Sequence, residues 1–254
     1  MIGPIARGVL LHQLRDDRYL AAPHGAPIAH GPGPDPDRIL LIGDLIVRGV
    51  GVATYDLALA GHLARQLADS TGRGAQIETR GIDHFDTSLA AETLRNEDLL
   101  RFDAVVLMIG VREAMSLTAA WKWERDIRTL LAVIAELAPP TLPVLIVGIA
   151  PFSRTMSVQP FVARWLETQL NSENAETERA CRESRIAEFV PFTPELTGIR
   201  LGRNSSLVYR SWADALTPVL ARALARHAPA GTSKSSFLPT RRGTMWAHPD
   251  SPPG

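Results

Sequence analysis

Arg38-Ile-Leu-Leu-Ile-Gly43-Asp44-Leu45-Ile-Val-Arg48-Gly49-Val-Gly51 is the stretch that decides the fold. Ile39 to Ile42 is an unbroken apolar run with no polar alternation. A half-exposed strand alternates, whereas a strand covered on both faces does not, so this segment predicts a central strand of a parallel sheet. Gly43-Asp44 ends the run and Gly49-Val-Gly51 turns the chain away from it. The glycine pair is not a dinucleotide loop. Thr54 stands where a third glycine is needed, and the pair does not follow the strand directly.

Outward from this strand, apolar strands alternate with amphipathic helices. Helical periodicity covers 57–67, about 86–99, 121–137, 161–182 and 211–227. Apolar runs at 104–110 and 143–149, and short stretches at 76–80 (after the turn Thr71-Gly-Arg-Gly74) and 187–191, predict further strands. The alternation implies an α/β fold: three-layer α/β/α, flavodoxin-like, with a mostly parallel five-stranded sheet. Residues 1–37, rich in proline and glycine towards their end, are expected to be an irregular N-terminal lead-in. The domain spans 38–227, and 228–254 form a flexible tail without apolar periodicity.

Bulk composition excludes several classes. The 254 residues carry 27 basic and 27 acidic side chains, so no net charge draws the chain to nucleic acid or an anionic membrane. No apolar run reaches the roughly 20 residues that span a bilayer. Met1 to His12 lacks the basic-then-apolar order of a signal peptide, and the single cysteine, Cys181, has no partner for an internal disulfide. The expected location is cytoplasmic. No cofactor or metal motif is present: there is no cysteine pair and no His-Glu-x-x-His.

Five blocks in order resemble the SGNH/GDSL hydrolase (esterase/lipase-like) family over roughly residues 36–226. Gly43-Asp44-Leu45 with Gly49-Val-Gly51 resembles its first block, and Gly81-Ile-Asp83-His84-Phe-Asp86-Thr87 its second. Gly110-Val-Arg112-Glu113, Pro151-Phe152 and Tyr209-Arg-Ser-Trp212-Ala213 resemble the later ones. The resemblance implies a serine nucleophile at 45, an Asp-x-x-His pair at 200 and 203, and oxyanion donors at 84 (or 83) and 112. The chain has Leu45, Arg200, Arg203, His84 (or Asp83) and Arg112 there. Leucine cannot attack a carbonyl, and arginine stays protonated and cannot act as a base. The resemblance therefore implies a divergent member that has lost the catalytic residues.

Several weaker constellations remain. His84 with Asp44, Asp83 or Glu113 would make a new acid/base pair; the alternative is a loop histidine satisfied by neighbouring carboxylates. Asp44, Asp83, Asp86 and Glu113 could gather round a divalent cation, but pairing with Arg112, Arg200 and Arg203 is favoured, so no metal is expected. The same three arginines suit a small anionic ligand. Ser205 or Ser206 would serve a hydrolase with a displaced serine. Trp121 and Trp123 are expected to pack in the core, with partner contact the alternative. The expectation is a catalytically silent ligand- or partner-binding module. The alternative is an esterase or acyl hydrolase-type enzyme of altered mechanism using the same cleft. The partner expected is a small anionic ligand or a protein, with no nucleic acid and no membrane.

Overall fold

The computed structural model describes residues 22–44, 46–81, 87–115, 118–151, 160–195 and 205–227. The strands are β1 (Ile28–Gly31), β2 (Asp37–Gly43), β3 (Ala75–Gly81), β4 (Ala104–Met108), β5 (Val144–Val147) and β6 (Glu188–Val190), with unbroken apolar runs in β2, β4 and β5. Their order across the sheet is β1-β3-β2-β4-β5-β6. β1 runs antiparallel to β3, and every other neighbouring pair is parallel. The helices are α1 (Leu59–Thr71), α2 (Thr87–Arg95), α3 (Val111–Met115), α4 (Ala120–Leu137), α5 (Pro160–Ser184) and α6 (Ser205–His227).

The sheet has six strands, not the expected five. The added strand, β1, lies in the stretch expected to be irregular. Ile-Ala-His-Gly is too short to show a period, and an edge position needs only one paired side. Gly31 lets this edge sit on α1, because a Cβ there would meet the Ala64 carbonyl oxygen at 2.1 Å. α6 starts at Ser205, ahead of Ser211, where its apolar period was expected to begin.

Alternate residues of each strand enter two separate cores. Leu40, Ile42, Val105, Leu107 and Ile146 pack under α2, α4 and α5. Ile39, Leu41, Val106, Leu145 and Val147 pack under α1 and α6. The pleat thus makes three layers, and burial on both faces explains why β2 and β4 read as continuous apolar runs. From β2 the chain crosses to β3 on one side, then returns to β4 on the other. The carboxyl ends of β2 and β4 therefore flank the point where the winding reverses, which is where open α/β sheets form their crevice. No helix among the described residues is long and apolar enough to cross a membrane.

Candidate functional site

The turn leaving β2 is built by its own backbone. The Arg48 amide donates to the Asp44 carbonyl at 3.0 Å and the Gly49 amide to the Ile46 carbonyl at 3.1 Å. Gly43 is required by space: a Cβ there would lie 2.3 Å from the Met108 carbonyl oxygen of neighbouring β4. Gly49 has φ +69°, a left-handed conformation that glycine adopts at little cost. From α6, the buried Tyr209 hydroxyl donates to the Val50 carbonyl at 2.7 Å and pins the far end of this turn. Three residues on, Trp212 meets Phe192 edge-to-face at 4.9 Å. The Tyr-x-x-Trp block is therefore a structural anchor of the turn.

Asp44 is buried at the winding reversal. Burial pushes its carboxyl up to about 7, and the nearby Glu113 carboxylate pushes the same way. The amides of Ile46 and Val111 oppose this without overcoming it. One oxygen, Oδ1, has no hydrogen-bond partner. Asp44 in turn raises the Tyr209 hydroxyl, after burial the second cause of that shift. Glu113, also buried, is occupied: it accepts from the Thr87 amide at 2.8 Å and the Thr87 hydroxyl at 2.6 Å. A carboxylate at the first residue of α2 satisfies an otherwise orphan helix amide and complements the helix dipole. Glu113 thus joins α3 to α2.

A third buried acid, Glu173 on α5, completes this group. Burial raises its carboxyl to about 8, with Glu113 again adding to the rise and a Gln169 hydrogen bond at 2.9 Å opposing it. Its Oε2 has no partner. The sequence reading missed it, although a signal was present. Leu166, Leu170, Glu173, Thr177 and Ala180 share the buried face of α5, so this glutamate falls on an apolar stripe.

Of the candidates from sequence, Asp44 and Glu113 are brought together. Leu45, Asp83, His84, Asp86, Arg200 and Arg203 lie outside the described residues, as does the side chain of Arg112, second residue of α3. Among the described residues no group of three or more His, Cys, Asp or Glu side chains could hold a metal.

Ser206 does lie beside an imidazole. His62 is half-buried between α1 and α6, with Nε2 at 3.0 Å from Ser206 Oγ. The pair is 144 residues apart in sequence, which is why no local pattern announced it. Its sense is wrong for catalysis. Arg65 Nη2 sits 3.3 Å from His62 Nδ1, and a guanidinium only donates. Nδ1 must therefore accept, which leaves the proton on Nε2, donating to the serine. Burial, then Arg65 and Arg210, also hold the imidazole pKa down. A general base must present a lone pair to the hydroxyl, and this imidazole presents a proton. The pair is a tie between two helices.

A cavity of about 210 Å³ opens at the carboxyl ends of β5 and β6, lined by Ile149, Leu170, Asn174, Phe189 and Phe192 among others. Glu167 borders it, and no described lining residue is cationic. An anion gains nothing from it electrostatically.

Residues 41–210 match the family model of the GDSL-like Lipase/Acylhydrolase family, which is well over half of the chain. The chain belongs to the GDSL-like lipase/acylhydrolase family. Solved structures agree on the fold of this family member. An arylesterase candidate from Agrobacterium tumefaciens str. C58 is 14% identical over 74% of this chain and 99% of its own, with a TM-score of 0.55. TesA is 14% identical over 74% of this chain and 99% of its own, with a TM-score of 0.52. At such identities the likeness carries fold alone. A search of curated proteins by sequence finds no match.

Proposed function

We propose that this chain is a catalytically silent member of the GDSL-like family that acts by binding a ligand or a partner. The observation that carries the reading is Leu45, held in register by Gly43-Asp44 on one side and Gly49-Val-Gly51 on the other. Two structural observations support it. Glu113 is spent on the start of α2, and the Ser206–His62 pair has the wrong tautomer for attack. The occupant is a small anionic ligand held by Arg112, Arg200 and Arg203, or a protein, met in the cytoplasm and away from nucleic acid and membranes.

The test is hydrolysis of p-nitrophenyl acetate and butyrate by the full chain, with a serine-reactive fluorophosphonate alongside. No turnover above background and no label are expected. Turnover abolished by His84→Ala, or a labelled Ser206, overturns the silent reading.

Asp44 favours a second reading, an acyl hydrolase-type enzyme of altered mechanism in the same cleft. A carboxyl poised near 7 beside the former nucleophile position is suited to proton transfer at neutral pH. Under this reading Asp44→Asn abolishes a measurable turnover. Under the first there is none to abolish.

A further inference from the structure

Trp123 is buried as expected, its indole N–H donating to the Glu173 carbonyl at 3.1 Å. Trp121 departs from that expectation: it is 66% exposed on the opposite side of α4. A tryptophan two residues from a core position falls outside by helical geometry alone. Arg125 lies over the ring, its guanidinium carbon 5.5 Å from the ring centroid. Trp121, Glu124, Arg125, Arg128, Thr129 and Ala132 line one shallow groove of about 490 Å³. These positions recur at helical spacing and form the outward ridge of the helix. α4 packs against α2 on one side and α5 on the other, so the ridge runs down the middle of a helical layer.

We propose that this ridge is where a second copy of the chain docks, pairing α4 with α4 in antiparallel fashion about a two-fold axis. The charge order along the helix argues for the occupant. The amino-terminal half presents exposed Arg125 and Arg128, and the last turn presents exposed Glu136. A two-fold axis passing between the levels of Leu130 and Leu131 sets Arg125 opposite the partner's Glu136. The symmetry repeats that contact, with Glu136 opposite the partner's Arg125. The same register sets Thr129 against the partner's Ala132 at the centre and Trp121 over the partner's Pro140, just past the helix end. Thr129 and Ala132 are both exposed and small, which allows the roughly 8–10 Å approach of packed helices. Glu124 and Arg128 meet no charge across the axis in this register and keep each other at 3.2 Å. Arg125 can turn outward without stranding Asp126, because Lys122 also pairs with that carboxylate. Tryptophan and arginine are the residues that most often anchor interfaces, and a two-fold contact is the commonest way identical chains associate.

This pairing is independent of whether the cleft is silent. Sedimentation and light scattering of the full chain test it. The wild type is expected at twice the chain mass of 27.6 kDa. Trp121→Ala is expected at the single mass, with an unchanged circular dichroism spectrum because the ring is exposed. Arg125→Glu and Glu136→Arg each place like charges across both symmetry-related contacts, so each alone is expected to be monomeric. An equimolar mixture restores both contacts and is expected to recover the dimer. A wild type that stays at the single mass at every concentration overturns the proposal. So does a dimer indifferent to Trp121→Ala or to either charge reversal, or a mixture that fails to pair.

Discussion

Replacing Glu173 by glutamine should stabilise this protein above neutral pH, and the size of the gain follows from burial. Its carboxyl is raised from 4.5 to about 8, mainly by desolvation. An acid whose pKa is raised on folding binds its proton more tightly in the native state. Its contribution to stability is complete below 4.5 and is lost as pH climbs through 8. At about 1.36 kcal/mol per pKa unit, a rise of roughly 3.5 units sets a ceiling near 5 kcal/mol. Relaxation and water entry around the charge lower this, so about 2–4 kcal/mol is expected at about pH 8.5. Glutamine keeps the shape, still accepts from Gln169 and cannot ionise. Urea unfolding of both proteins from about pH 5 to 8.5 reads the effect as a shift in midpoint at constant m-value. The wild type should lose stability as pH rises, and Glu173→Gln should lose much less. The residual slope combines Asp44, whose stabilisation is lost between 3.8 and about 7, and His62, whose lowered pKa opposes it below 6.5. Equal slopes for the two proteins would refute the reasoning, because the buried carboxyl would then be titrating as though solvated.

Three further outcomes are expected. Leu45→Ser alone should leave p-nitrophenyl ester hydrolysis and fluorophosphonate labelling at background. Arg203 cannot take the serine proton, and triad members act as a unit. Tyr209→Phe should cost about 1–3 kcal/mol in urea unfolding, because it strands the Val50 carbonyl in the interior. Thr87→Val removes the hydroxyl that Glu113 accepts from and should cost about 1–3 kcal/mol in the same assay.

The fold was legible because burial on two faces leaves a strong mark. β2 and β4 carry no polar residue among their central positions, and in a chain that alternates such runs with amphipathic helices this is the mark of a covered parallel strand. β1 was not legible, since four residues hydrogen-bonded along one edge need no pattern of their own. Trp121 and Trp123 show a limit of composition: two tryptophans in one tripeptide were assigned together, although about 3.6 residues per turn sends them to different sides. At the site, Asp44 could be placed because it ends a strand. Glu173 could have been found as a carboxylate on an apolar stripe. The His62–Ser206 tie could not, because its partners stand 144 residues apart and meet only where α1 and α6 pack side by side on one face of the sheet.

The motif positions divide by the kind of work they do. Gly43 is needed wherever β2 passes β4 this closely, whatever stands at 45. Gly49 is needed by its left-handed turn, and Tyr209 by the Val50 carbonyl. All three keep the family's residue. Under the silent reading proposed above, the positions whose work would be chemical, at 45, 112, 200 and 203, do not. A match over residues 41–210 shows the family and its fold, and fold alone does not carry the reaction. Asp44 belongs to neither half cleanly. Its carboxyl receives amides that an asparagine oxygen would receive equally well, yet it bears a costly buried charge with one oxygen bare. Packing explains a polar side chain at that point and leaves the acid unexplained, so any surviving chemistry or ligand recognition in the cleft has to be sought first at Asp44.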